Sequence, residues 1–449
     1  MASMVLLLNW GIRGTILHPG MEAVRVIHSF FWRKLLVRSG LARLIPSVRR
    51  QLRGADDAIA RYSDRTLAVP YAELEDFALL PAIHTPDSID FVLGSPRCDI
   101  SMSLGRSLNE RRPIPAWGLL ELRSDLAAEF QLNHGVEHDP NDEVLITHGA
   151  TGAFASCIDA FVNPGDAAVL FDPTSPIFSI GLKHRRARVR WVPTWSDQGQ
   201  LRFAMDRFAQ VMRGAKLLVL ADPANPTGCV LAPEDIEQIA FWARKHDVLI
   251  FQDASFDRWR SEPARTRLAS LPNANARILT CGSFSKSHGL SAARVGWLTG
   301  NRHLVRPCAA AMLLTAPFVP TLCQQAAFQA MRTSESVRED FASRRANVSE
   351  RLQKMGLKPW TAQAGFFLWV PVPNDEKGSD FAQRLLRETR VLVNPGSPFG
   401  PSGERFFRLS FATDAGRLRE GLERLERFLA NEKVRGLRVA EHLPASRGA

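Results

Sequence analysis

Four short apolar runs recur through the middle of the chain: Ala167 to Phe171, Leu217 to Ala221, Val248 to Phe251 and Arg277 to Cys281, each bounded by polar or glycine-rich turns. Runs of that length and make-up suit strands buried on both faces. Between two of them lies PEDIEQIAFWARKH, 233 to 246. Pro233 fits a first helical turn, Ile236, Ile239, Ala240 and Ala243 recur on one face, and Lys245 and His246 suit the negative end of the helix dipole. Repetition of strand, helix and strand predicts an α/β fold with a mostly parallel central sheet. In such sheets ligands gather beyond the carboxyl ends of the strands, which here carry Asp172, Asp222 to Asn225, Asp253 and Ser283 to Lys286. After about residue 320 the pattern turns to helical stretches and then to GFFLWVPVP and FFRLSFAT, which predicts a second, smaller α+β domain.

Composition narrows the function classes. With 449 residues, 45% of them hydrophobic and 23% charged, the chain has the make-up of a soluble globular protein of about two or three domains. Cysteines 98, 157, 229, 281, 308 and 323 include no CxxC pair, so neither a metal site nor a disulfide framework is expected. A reducing, cytoplasmic compartment fits them. The net charge of +11 is uneven: residues 1 to 54 hold nine Lys or Arg against one acid, Glu22, leaving only +3 for the remainder. The body of the chain is therefore not expected to bind nucleic acid. In the basic extension, Val24, Ile27, Phe31 and Leu35 fall at helical spacing beside Arg25, Arg33, Lys34 and Arg38. That pattern suits a helix packed on the protein's own surface, an upstream start with Met21 as the true one, contact with a membrane surface, or a targeting segment. No stretch is long and apolar enough to span a bilayer.

SFSKSHGLSAARVGW, 283 to 297, sets a lysine between serines and places an arginine eight residues beyond it. A lysine that attacks a phosphorylated aldehyde needs fixed donors for the phosphate while its amine stays free. Other segments accompany it in order: LGSP at 93, WGLLELR at 117, ITHGAT at 146, NPGDAAVL at 163, ANPTG at 224, QDASF at 252, PGSPFG at 395 and FFRLSFA at 406. As an ordered set these segments resemble the class I/II aminotransferases, pyridoxal-phosphate enzymes of fold type I, from about Ile89 to Leu429.

The resemblance implies a role for each matching residue. Lys286 would be the Schiff-base lysine and would carry the substrate's α-proton. Ser283, Ser285 and Arg294 would grip the phosphate of pyridoxal 5'-phosphate. The amides of Ala150 and Thr151, in a GAT turn that precedes a helical stretch, would point at the same phosphate. Asp253 would face the pyridine nitrogen and keep it protonated, and Asn225 would donate to the phenolic oxygen. Arg408 would bind the substrate α-carboxylate through a bidentate pair. An amino-acid donor, a keto-acid acceptor and a homodimer with shared sites are the expected partners. The implied layout is a basic extension over 1–84, a small-domain segment over 85–108, a large cofactor-binding domain over 109–320 and a small C-terminal domain over 321–449.

The chain departs from the family's pattern in places. Phe256 stands where a tyrosine is usual, Ser175 replaces the aromatic that stacks on the ring, and Pro113 replaces a tyrosine that reaches the partner subunit. Phe178, His148 or His288 are the aromatic groups in range to cover the ring instead. The departures keep a second reading open, a lyase or other fold type I enzyme, because one carbanion can go several ways. A third reading, a DNA-binding regulator with an aminotransferase-like domain, rests on the basic extension and on IPSVRRQL at 45 to 52.

Overall fold

The structure, a computed structural model, describes residues 87–92, 116–262, 266–272, 274–333 and 338–441. All of them fall in one compact unit, Asp76–Ala449. The candidate helix around residues 24–35, the segment 45–52, LGSP at 93–96 and Pro113 lie outside the described residues.

Fourteen strands are described. They are β1 (Ile89–Asp90), β2 (Val144–Thr147), β3 (Ala167–Asp172), β4 (Arg188–Asp197), β5 (Gln200–Phe203), β6 (Leu217–Ala221), β7 (Val230–Leu231), β8 (Leu249–Asp253), β9 (Ile278–Ser283), β10 (Gly296–Gly300), β11 (Phe367–Pro371), β12 (Val391–Leu392), β13 (Asn394–Pro395) and β14 (Phe406–Ser410). Nine of them form one sheet in the order β2-β10-β9-β8-β6-β3-β4-β5-β7. Its centre, β9-β8-β6-β3-β4, is parallel, whereas β10 runs antiparallel to both its neighbours. This is the α/β architecture that the alternating pattern predicts.

The central strands are apolar throughout because both faces are covered, and their alternation divides one run between two cores. Leu170, Leu217, Val219, Phe251 and Leu279 join the side that packs on α2, α3 and α7 of the helices named next. Val169, Phe171, Leu218, Leu220, Ile250 and Ile278 join the other. The helices are α1 (Leu120–His134), α2 (Gly149–Phe161), α3 (Pro176–His184), α4 (Met205–Met212), α5 (Pro233–Lys245), the single turn α6 (Phe284–Ser287) and α7 (Arg302–Thr315). In α5, Pro233 opens the first turn and Ile236, Ile239 and Ala243 are buried, while Ala240 is partly covered. Beyond α7, the strands β11-β14-β13 form a separate antiparallel sheet, and β1 pairs in parallel with β12. Around them lies a core rich in phenylalanine, including Phe366, Phe367, Phe381 and Phe407.

Candidate active site

Pairing in the sheet decides what meets at its carboxyl edge. Thr147 on β2 and Ser283 on β9 both pair with Gly296 of the strand between them. The start of α2 and the Ser283 turn therefore flank β10 at the same level, one on each side of Gly296. A Cβ on Gly296 would sit 2.5 Å from the Gly149 carbonyl carbon, and one on Gly149, whose φ is +69°, would sit 2.9 Å from the Arg294 Nη2. Only glycine lets these backbones approach so closely.

Helix α2 begins at Gly149 itself, so Ala150 and Thr151 occupy its first turn instead of preceding it. Their amides belong to the unpaired N-terminal set of the helix. Ser283 caps α6: its Oγ accepts from the Ser285 amide at 3.2 Å. Arg294 donates from Nη1 to the Ser285 Oγ at 3.2 Å and to the Ser291 carbonyl at 3.3 Å. Guanidinium, two hydroxyls and helix-terminal amides make a donor set suited to a phosphate dianion. Thr151 and Arg294 are exposed, so this end of the site is open.

Lys286 lies in α6, whose backbone is held from outside by Trp259, donating from Nε1 to the Lys286 carbonyl at 2.8 Å. Burial pushes the Lys286 amine down to about 8; Arg408 and Arg294 push it the same way and Asp253 opposes them. An amine so placed gives up its proton far more readily than a surface lysine, as a nucleophile or proton carrier must. The same three side chains that act on it are the ones expected at the phosphate, ring and carboxylate positions.

Asp253 ends β8. Burial raises its pKa, while hydrogen bonds from Ser255 and Cys281 and the charge of Lys286 lower it. Its Oδ1 accepts from the Ser255 amide at 2.9 Å and faces the Cys281 Sγ at 3.8 Å. Oδ2 accepts no hydrogen bond among the described residues, which leaves it for a cationic ring nitrogen. Cys281 pairs directly with Asp253 across β8 and β9, a neighbour that spacing alone did not reveal.

Arg408, on β14, is buried and pushed down to about 10 by burial, against the opposing charge of Asp90. It lies 5.3 Å from the Phe367 ring centroid and 5.1 Å from that of Phe399. Nη1 donates to the Asn225 Oδ1 at 2.8 Å, and Nη2 donates to the Val92 carbonyl at 3.0 Å and the Asn394 Oδ1 at 2.8 Å. Asn225 is thus brought to Arg408 with its carboxamide N–H groups left for another acceptor. Because Nη2 is already spent on two oxygens, the expected bidentate face of Arg408 is not open as it stands.

Other expectations are corrected. Phe178 cannot cover a ring: it is buried in α3 among Phe154 and Phe251, at centroid distances of 5.0 and 6.4 Å. His288 is spoken for at both nitrogens, 2.7 Å from the Ser287 Oγ and 3.1 Å from the Arg258 Nη1, and burial with Arg258 pushes it down to about 3. His148 stands at the start of α2 with Nε2 3.2 Å from the Ala316 carbonyl. Two of the strand-end aspartates serve structure. Asp172 accepts from the Ser402 amide and hydroxyl, and Asp222 pairs with Arg260 at 2.7 Å in a buried network that continues to Asp257, Arg267 and His134. Phe256 packs edge-on against Phe367 and Phe366, 4.9 and 5.5 Å away.

The residues present fit pyridoxal 5'-phosphate: an amine of lowered pKa, a buried carboxylate with one oxygen unspent, and a phosphate donor set converge on one sheet edge. Comparison with known proteins agrees. The profile of the family "Aminotransferase class I and II" matches residues 105–425. The chain is 28% identical to an aspartate aminotransferase of Pyrococcus abyssi, over 78% of this chain and 93% of that protein. It is 26% identical to an LL-diaminopimelate aminotransferase of Oleidesulfovibrio alaskensis, over 81% and 98% respectively. Among solved structures, an aspartate aminotransferase of Thermotoga maritima superposes with a TM-score of 0.73 at 27% identity, covering 82% of this chain and 100% of that one.

Proposed function

The chain belongs to the class I and II aminotransferases, and on that premise we propose that its transfer of an amino group from an α-amino acid to an α-keto acid is run by Lys286, Asp253, Asn225 and Arg408, with the phosphate end as anchor. One observation carries this assignment: the Lys286 amine is lowered to about 8 in a setting shared with Asp253, Arg294 and Arg408. Pyridoxal phosphate, when bound, supplies an aldehyde carbon for the amino group and a ring that accepts electrons from the substrate carbon. Ser283, Ser285, Arg294 and the first amides of α2 hold its phosphate and so fix the position of the reacting carbon. Asp253 holds a proton on the ring nitrogen through charge. The Asn225 carboxamide donates to the ring's phenolic oxygen while its own oxygen stays on Arg408. Arg408 would bind the substrate α-carboxylate through an N–H that Val92, Asn225 and Asn394 leave unclaimed. The Lys286 Nζ would be the base that takes the α-proton from the substrate carbon and holds it for return.

The rest of the proposal concerns assembly and setting. We assign 109–320 to the large domain and 85–108 with 321–449 to the small one, a division supported by the pairing of β1 with β12. A homodimer accords with the family, and Leu313, Leu314 and Phe318, exposed by 45%, 89% and 47%, supply an apolar edge beside Ala316 for a second copy. Cys157, Cys229, Cys281, Cys308 and Cys323 are free, which supports a reducing, cytoplasmic setting. Among the described residues no helix is long and apolar enough to cross a membrane.

Borohydride reduction of the holoenzyme and peptide mapping test the core of the proposal. The pyridoxyl label is expected on Lys286, and a label on any other lysine overturns the assignment. A panel of amino acids with 2-oxoglutarate, read by product identification, then gives the donor.

A further inference from the structure

Arg408 is held by oxygens from three distant parts of the chain, and two of them, Val92 and Asn394, lie outside the motifs that pointed to the site. Asn394 is fully buried and sits directly opposite Arg408 in the β13-β14 ladder. Residues opposite one another in an antiparallel pair share a face of the sheet, so their side chains meet by construction. A guanidinium carries five N–H groups. Val92 and Asn394 take the two on Nη2 and Asn225 takes one on Nη1. Among the described residues the Nε–H is buried with no partner. Asn225 thereby pins one terminal nitrogen and Asn394 the other, while Phe367 and Phe399 flank the plane.

We propose that Asn394 is a positioning residue for substrate recognition: its carboxamide oxygen fixes the rotation of the Arg408 guanidinium and so aims an unspent N–H at the substrate α-carboxylate. The inference rests on the reading of Arg408 as the carboxylate anchor. Asn225 and Val92 take one proton from each terminal nitrogen, and Asn394 is the acceptor for the second Nη2 proton, which they leave unclaimed. An apolar side chain at 394 would leave an Nη2 proton buried without an acceptor, and the charged head would turn to find one. A hydroxyl at the same place would still accept.

The experiment compares two nearly isosteric substitutions, Asn394→Val and Asn394→Thr, in the holoenzyme. Both are β-branched and suit a strand; they differ in one acceptor oxygen. Each protein is titrated by absorbance with 2-methylalanine, an amino acid without an α-hydrogen, and with isopropylamine, the same amine without a carboxylate. The ratio of the two affinities reads carboxylate recognition and divides out general damage to the site. Asn394→Val is expected to lower the ratio about tenfold, the scale of one hydrogen bond to a charged group, and Asn394→Thr to return it to within about threefold of wild type. Equal ratios in the two variants, whether both fall or neither does, overturn the proposal, as does a ratio that rises in Asn394→Val. Should Asn394→Val not fold, Asn394→Asp decides: a carboxylate there occupies Arg408 and must depress the ratio, and a wild-type ratio overturns the idea. Arg408→Leu separates the two layers. If it leaves the ratio intact, the reading of Arg408 fails. If it abolishes the ratio while Asn394→Val does not lower it, only the role of Asn394 fails.

Discussion

The two ends of the site are built in opposite ways. The phosphate end is assembled from short-range pieces: Ser283, Ser285, Lys286 and Arg294 lie within twelve residues, Ser283, Ser285 and Arg294 are linked by hydrogen bonds, and Arg294 is exposed. The carboxylate end is long-range and dry: Arg408 is buried and takes its oxygens from Val92, Asn225 and Asn394. An open donor cluster can admit a dianion from water and be screened by salt, whereas a buried guanidinium feels nearly the full charge of what reaches it. The difference suits one end to hold a resident cofactor and the other to choose substrates turn by turn.

Removing the residue between the two ends has the largest effect. Lys286→Ala should lower turnover by at least about 10³-fold, since it deletes both nucleophile and proton carrier, while phosphate-end affinity for the cofactor persists in equilibrium dialysis. The pH dependence has a definite sign. Folding lowers the Lys286 pKa from 10.5 to about 8, so between these values the unfolded chain binds the extra proton. Stability of the cofactor-free protein should therefore rise with pH across that window, and denaturant melts of Lys286→Met should lack the rise. Arg408→Leu comes next. It removes a buried, hydrogen-bonded charge and should cut kcat/KM by about 10²-fold or more for amino and keto acids alike, with little change in cofactor affinity.

The contrast between the ends also explains what the sequence could reveal. Strand β6 has the bounds that its apolar run predicts, because Leu217 to Ala221 is buried on both faces. The run Val248 to Phe251 stops short of the strand it marks, for β8 continues through Gln252 and Asp253, where ladder pairing with Ala221 and Cys281 persists after hydrophobicity ends. Local chemistry at Lys286 is visible as a motif because the folding unit is a single turn. Cys281 beside Asp253 and Asn394 beside Arg408 are neighbours through strand register, which no linear spacing encodes. Phe178 looked available only because its helix was not yet oriented; in α3 it falls on the inward face with Ile180 and Leu182.

A smaller effect is expected at the open end, and it sharpens the contrast. Arg294→Ala should weaken cofactor binding about tenfold, the scale of one charge-assisted hydrogen bond near solvent, and the loss should shrink as salt rises. Substrate affinity at Arg408 should respond to salt more weakly. Equal salt slopes for cofactor and substrate, measured by fluorescence titration, would erase the distinction between an open and a dry end.

The smallest effect is expected at Phe256, which packs toward the carboxylate end. Its ring lies edge-on to Phe367, whose own ring lies 5.3 Å from the Arg408 guanidinium. Phe256 is also three residues beyond Asp253, the position from which relatives of the family present a tyrosine hydroxyl to the ring's phenolic oxygen. Phe256→Tyr adds one oxygen at the far edge of a ring already fixed by its neighbours. Two terms then compete. The hydroxyl costs about 1–2 kcal/mol if it stays buried without a partner, and it gains a hydrogen bond if the phenolic oxygen lies in its path. A donor to that oxygen stabilises its anionic form once the nearby proton is lost, so the visible absorbance of the holoenzyme should titrate at a lower pH than in wild type, by less than about one unit. Thermal melts of the cofactor-free protein should show the opposite ordering, with the variant slightly less stable, because the compensating acceptor is then missing. A pKa that stays put in a variant that still binds cofactor would place the edge of Phe256 wholly within the phenylalanine core. Its kinship to the lost tyrosine would then be one of sequence position only.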